Sequence, residues 1–295
     1  MCSKESIYKN VESGAIEQFA EKTELFNKMQ TAITNKLENK QNDECLLVQL
    51  ADCKRRMGDI SEAAAIYDKL STLKPDKDVY SYYRNALRGN LNSEQPISIK
   101  GPKASPIVEC SNFLPLNSVH EILKYANKHK DKFSAAELID SKTKSNIINT
   151  DIRNNTELNI NEIPLFDIVR DRINEMTPDV YKRLGLKQLY PSNTEAALRV
   201  YHHEEFFRTH QDGYERKYSG VYFLNSTPKR FSGGDLVIFD TDISVPFFNH
   251  KFTRIRPKNN HLFFFPSNYY HAVLPVYCED DNFLSGRFAI NIHVG

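Results

Sequence analysis

The chain has no tryptophan, no pair of thiols at CxxC spacing, no strong excess of either charge and no long apolar run. Its five cysteines, Cys2, Cys45, Cys53, Cys110 and Cys278, are odd in number and scattered. That argues against a disulfide framework and against a zinc site built on thiolates. Thirty-nine basic residues against 38 acidic ones leave a formal charge of +1, whereas a dedicated nucleic-acid binder normally carries a basic excess or stripe. No segment approaches the roughly 20 apolar residues that span a bilayer, and the start MCSKESIYKN is too polar for a signal-peptide core. These absences predict a cytoplasmic globular protein with neither a nucleic-acid nor a membrane partner.

What is present is an ordinary apolar share of 40% over 295 residues, enough to bury one large domain or two modest ones. The aromatic content is all Phe and Tyr, 18 and 15 residues, with many of them after residue 200, which predicts a β-rich second half. From residue 5 to 90 the spacing is helical, with apolar side chains three and four apart and almost no Gly or Pro. In LLVQLADCKRRMGDISEAAAIYDKLSTLKPD (46–76), Leu50, Ala51, Gly58, Ala63, Tyr67 and Pro75 resemble the signature positions of one tetratricopeptide repeat. An ordinary helical hairpin is the alternative. A single repeat leaves a face unburied, so segments 15–42 and 78–90 are expected to pack on it.

Residues 91–108 collect Pro, Ser, Gly and Asn without periodicity. The expected division is a helical domain over 1–95, a linker over 96–108 and a second domain over 109–295. Helices are predicted at 117–129, capped by Asn117, and at 163–184, kinked near Pro178, with loop or short edge strands at 138–160. After residue 195 the period becomes alternating. Strands are predicted at 197–201, 220–225, 235–240, 251–257, 261–266, 271–277 and 286–294, a sandwich or barrel pattern. HLFFFP (261–266) is apolar at successive positions, as in a strand covered on both faces.

The chemistry-bearing residues lie in this β region. In HQDGY, His210 and Asp212 are two apart, and extended side chains at i and i+2 share a face. A third ligand must come from another strand, and His271, opening HAVLPV 59 residues after Asp212, is the best placed. Two imidazoles and one carboxylate on one side of a metal are the ligand set of non-haem Fe(II) oxygenases. An HxD pair alone is weak, since His210 also reads as a satisfied strand histidine and Asp212 as a turn residue before Gly213. Three ordered features strengthen it: paired glycines in SGGDLVIFD (232–240), the apolar strand after His271, and Arg287, 16 residues after His271. An arginine in that apolar context needs an anionic partner, and its guanidinium suits a carboxylate.

RVYHHEEFFRTHQDGY, VYFLN, GGDLVIFD, HAVLPV and GRFAINIH together resemble the prolyl 4-hydroxylase branch of the Fe(II)/2-oxoglutarate dioxygenases, over roughly residues 108–295. The resemblance implies an α+β protein. Its catalytic domain is a double-stranded β-helix, or jelly roll, with supporting helices, preceded here by a small all-α repeat-like domain. It implies Fe(II), 2-oxoglutarate as cosubstrate and O2, with His210, Asp212 and His271 as iron ligands and Arg287 on the distal carboxylate of 2-oxoglutarate. Tyr201 matches a position whose hydroxyl often reaches the cosubstrate, although a strand tyrosine also serves as packing. Arg153 matches a substrate-side arginine on a flexible loop. Retention of Asp212 favours hydroxylation over halogenation, with succinate and CO2 released.

The expected substrate is a peptide or protein residue such as proline, held beside a helical-repeat groove. A free amino acid or other small molecule is the alternative, with the helical domain as a lid or as the surface of a homodimer. A non-catalytic interaction protein is a third reading, and the presence of all four key positions weighs against it. The remaining residues invite plainer readings. His202 and His203 face opposite sides of a strand, while His250, His261 and His293 lack partners at ligand spacing. The basic run KFTRIRPK (251–258) is expected to be a solvated strand face, and FFR (206–208) either a pocket lip or core.

Overall fold

The computed structural model describes residues 15–91, 99–139, 143, 145–187, 193–213, 215–245 and 247–295. The boundary expected at residue 95 therefore lies outside the described residues. Five helices lead: α1 (Ala15–Glu21), α2 (Thr23–Glu38), α3 (Glu44–Met57), α4 (Ile60–Leu73) and α5 (Asp78–Leu87). The Asp43 carboxylate accepts the Leu46 N–H at 3.0 Å and caps α3. Gly58 closes α3 at φ +85°, a left-handed conformation that other residues adopt reluctantly. Ala51, Ala63 and Tyr67 are buried where α3, α4 and α5 meet.

After β1 (Val108–Ser111) comes α6 (Leu116–Lys128). It starts after Pro115 with no side-chain cap, so the expected cap Asn117 lies inside the helix. The segment expected as loop or edge strands holds β2 (Ser134–Ala135), β3 (Leu138–Ile139), β4 (Asn146–Ile147), β5 (Arg153–Asn154) and β6 (Thr156–Asn159). A short 3-10 turn, Pro164–Phe166, then leads into α7 (Asp167–Arg183), which carries Pro178 within it. The strands that follow are β7 (Thr194–Tyr201), β8 (Phe206–His210), β9 (Tyr218–Leu224), β10 (Phe231–Gly233), β11 (Leu236–Asp242), β12 (Phe247–Ile255), β13 (His261–Pro266), β14 (His271–Val273), β15 (Val276–Cys278) and β16 (Arg287–Val294). The single strand expected at 271–277 is thus two strands separated at Leu274 and Pro275, and FFR belongs to β8.

Two antiparallel sheets carry the fold. The larger has the order β1-β13-β9-β16-β7-β6-β2 and the smaller β12-β11-β14-β8-β5. Alternation sorts their side chains. Leu262 and Phe264 of β13, with Phe288, Ile290 and Ile292 of β16, face α6 and α7. Phe263 and Phe265 of β13, with Val221, Phe223, Leu236 and Ile238, fill the space between the sheets. β13 is therefore covered on both faces, which is why its apolar residues are consecutive. Sheets, pairing and flanking helices fit an α+β jelly roll.

The outer face of the small sheet is covered by the leading helices. Ala20 and Phe26 pack with Val237, Phe239, Phe252 and Leu274. The basic run 251–258 is only partly a solvated face, since Arg256 and Lys258 are exposed and Lys251 half-buried while Arg254 is not. Arg254 is 3% exposed, pairs with Asp235 at 2.5 Å and donates to the carbonyls of Arg56 and Ala20. Beside it, fully buried Arg55 of α3 bonds Asp240 of β11 through both terminal nitrogens, at 2.8 and 3.0 Å, and Thr253 at 3.2 Å. Lys251 reaches Asp52 at 2.7 Å. Lys251 and Arg254 meet acceptors from the helices, and they mark the seam between the two parts.

Candidate active site

His210 ends β8 and His271 opens β14, and the ladder places them directly opposite each other. Asp212 follows two residues after His210, and one ligand atom from each of the three lies within 4.8 Å of the others. His271 Nε2 is 3.5 Å and His210 Nε2 3.8 Å from the Asp212 carboxylate. Each Nδ1 sits on a backbone carbonyl, His210 on Arg208 O at 2.7 Å and His271 on Tyr269 O at 3.0 Å. A carbonyl only accepts, so each Nδ1 carries the proton and each Nε2 presents its lone pair toward the carboxylate. The three groups form an open cluster of two nitrogen donors and one oxygen donor, a set that suits a divalent transition metal with positions left free.

Electrostatics holds His210 and Asp212 in ligating form. Burial, joined by the neighbouring His271, pushes the His210 imidazolium well below its ordinary range, keeping the ring neutral. Burial would raise the Asp212 carboxyl, but His293, His271 and His210, with the Ser219 hydroxyl donating at 2.5 Å, outweigh it and lower it. His293 has no partner at ligand spacing in the sequence. β16 brings its Nδ1 to 3.6 Å from Asp212 and 3.4 Å from the Ser219 oxygen. Burial lowers it to about 3, and no spacing in the sequence signals this approach. His261 also has a partner, Glu109 at 2.9 Å.

The same pocket is lined by Arg287, on the inward face of β16 with Asn291 and His293. Arg287 is 1% exposed. Its guanidinium lies over the rings of Phe223 and Tyr201, at 4.8 and 5.0 Å. Nε and Nη2 of Arg287 and the hydroxyl of Tyr201 are buried without a hydrogen-bond partner among the described residues. Burial pulls this guanidinium from 12.5 to about 10, so it remains cationic at neutral pH. Orphaned donors of this kind are costly unless a ligand engages them, and a carboxylate meets the need. The paired glycines before β11 serve this arginine. Gly234 adopts φ +66°, and a Cβ there would lie 2.6 Å from Arg287 Cδ.

Arg153 is placed differently from the expected substrate-side cation. It is 5% exposed and donates to Asn155 Oδ1 at 3.0 Å, Glu137 O at 2.6 Å and Glu157 at 2.5 Å. Its guanidinium covers Phe207 at 5.0 Å, and Phe207 stacks on His210 at 3.6 Å. Arg153 backs the ring behind His210, and its donors are already engaged.

Comparison with known proteins agrees with this chemistry. Residues 196–294 match the 2OG-Fe(II) oxygenase superfamily. An uncharacterized PKHD-type hydroxylase of Synechocystis sp. is 28% identical over 266 residues, covering 85% of this chain and 86% of that protein. Among solved structures, a prolyl hydroxylase of Trichoplax adhaerens, in complex with a hypoxia-inducible-factor oxygen degradation domain peptide, superposes with a TM-score of 0.51 at 17% identity, covering 75% of this chain and 94% of that one. A Pseudomonas putida prolyl-4-hydroxylase gives 0.47 at 19% identity, over 64% and 91%. The superfamily uses Fe(II), 2-oxoglutarate and O2, and the His–Asp–His cluster beside a buried arginine with two nitrogens unpartnered among the described residues fits that set. The protein is a 2-oxoglutarate-dependent iron dioxygenase of hydroxylase type.

Proposed function

We propose that this dioxygenase hydroxylates a peptidyl residue such as proline, with His210, Asp212 and His271 holding Fe(II) and with Arg287 and Tyr201 holding 2-oxoglutarate. The observation that carries the site assignment is the pairing of three convergent metal donors with the buried Nε and Nη2 of Arg287 and hydroxyl of Tyr201, which have no hydrogen-bond partner among the described residues. Iron, when bound, supplies the oxidising chemistry. The protein's part is to present neutral imidazoles through Nδ1–H bonds to carbonyls, to neutralise and orient the distal carboxylate with Arg287, and to exclude water with Phe207, Val221, Leu236 and Phe265.

For the substrate, the support is the surface beside β8. Thr150, Asp151, Asn154, Glu204, Phe206 and Arg208 line an open cleft flanking the metal-bearing strand, with Ile148 and Ile152 exposed next to it. A cleft with polar walls and apolar neighbours suits an extended chain better than a small polar metabolite. The Trichoplax protein was solved with a peptide, which is in keeping with this reading. The groove once expected from the helices carries less weight, because α3 is docked on β12. Succinate release by the intact chain, measured with proline-containing peptide libraries and with free amino acids, tests the proposal. Turnover with peptides supports it, and turnover confined to a free amino acid overturns it.

A further inference from the structure

We infer that Glu17, in the leading helix α1, is a positioning residue for the iron site, an inference that rests on the ligand assignment above. Val273 pairs with Phe207 and His271 with His210, so β8 carries one more residue than β14 between these two rungs. Such a bulge re-aims the side chain that follows it. On the other edge, β5 pairs only with Phe206 and Phe207, and the Arg208 N–H goes to Ile152 O at 2.8 Å. The registers give Thr209 a partner on neither strand. Its N–H and its hydroxyl both donate to the Glu17 carboxylate, at 2.9 and 2.7 Å, across 192 residues of sequence.

Glu17 is 3% exposed, so the contact lies largely out of solvent. The helix that carries it is itself anchored. The Ala20 carbonyl accepts from Arg254, Glu21 accepts the Tyr277 hydroxyl at 3.3 Å, and Phe19 packs edge-on against Phe26 at 5.4 Å. The carboxylate therefore fixes the peptide immediately before His210, and with it the direction of the imidazole. The N-terminal segment thereby supports the strand that carries His210 as well as covering the small sheet.

Cobalt(II) titration of the full-length protein without 2-oxoglutarate, followed by visible absorption, tests this. Glu17→Ala is expected to weaken Co(II) binding about ten-fold, the usual scale for groups that orient metal ligands, and to shift the cobalt band. Glu17→Gln, which keeps an acceptor oxygen, is expected to restore most of the affinity. A purely structural Glu17 would lower the melting temperature of the metal-free protein while leaving the band and affinity of the folded fraction unchanged. That outcome overturns the inference. If Glu17→Ala does not fold, Thr209→Val, which removes only the hydroxyl bond, decides: a smaller loss with a shifted band supports it, and wild-type binding overturns it. His210→Ala separates the two readings. If it binds Co(II) normally, the ligand assignment itself fails; if it loses Co(II) while Glu17→Ala does not, only the role of Glu17 fails.

Discussion

Arg287 shows how a single residue is made to need a ligand. Its Nε and Nη2 are buried and unpartnered among the described residues, while aromatic faces cover it. Two charge-assisted bonds to a carboxylate are worth roughly 3 kcal/mol, about a hundred-fold in affinity. Arg287→Ala is accordingly expected to raise the 2-oxoglutarate requirement about a hundred-fold, as measured by the anaerobic charge-transfer band with Fe(II). An unchanged requirement would assign the carboxylate to another residue. His210→Ala should abolish that band. The three proposed ligands and Arg287 were legible in the sequence because the HxD spacing, the later histidine and the misplaced arginine each violate what a plain strand would carry. His293 was not. Its approach to Asp212 exists only because β16 and β9 are neighbours, so that His293 and Ser219 lie side by side.

At the scale of elements, the site is a product of register. β14 and β8 place His271 against His210, and β16 and β7 place Arg287 against Tyr201. Slipping either strand by one residue would turn these side chains to the opposite face. Gly234 guards one of these registers, since it combines φ +66° with the 2.6 Å clearance from Arg287. Gly234→Ala is expected to destabilise the fold by about 1–3 kcal/mol, read as a loss of melting temperature, and to weaken 2-oxoglutarate binding by displacing the guanidinium. Wild-type values for both would show that the loop absorbs the methyl group. Alternation made β13 and β16 readable in advance. β8 was harder to read, because its bulge disrupts the period of two and its FFR run has no obvious inside.

For the molecule as a whole, the leading helices and the jelly roll are joined by buried charge. Arg55 and Asp240 are both fully inaccessible and doubly bonded, with Tyr83 donating to the same carboxylate at 3.2 Å. Removing one partner strands the other, so Arg55→Ala is expected to cost about 3–5 kcal/mol in denaturant unfolding; a loss below about 1 kcal/mol would show that solvent reaches Asp240. Truncation at residue 95 should expose the apolar outer face of the small sheet, giving an aggregating fragment instead of a free catalytic domain. Acid should loosen the same seam. Burial opposes ionisation of Asp52, but Arg55 and Lys251 outweigh it and hold its folded value below the 3.8 of an unperturbed carboxyl. A depressed carboxylate stabilises the fold above its unfolded value and loses that contribution as pH falls through the folded one. The Asp52 contribution to unfolding free energy, read as the difference between wild type and Asp52→Asn, should therefore be constant above about pH 5 and decline below 3.8.

The sequence by itself pointed to the fold class of the second half and to the candidate ligand set and arginine, because period, spacing and an out-of-place charge are local properties. It also predicted helical spacing over residues 5–90, and the described part of that stretch carries the helices from Ala15 to Leu87. Only the tertiary structure decided where those helices go. Lys251 and Arg254 on β12 look solvated until α1 and α3 supply their acceptors, and Glu17 looks like one surface acid among many until α1 lands on the bulge before His210. Both facts depend on contacts nearly two hundred residues apart in the chain. No periodicity encodes them, since what fixes them is the need to satisfy buried charge and unpaired backbone once the helices and the sheet have packed.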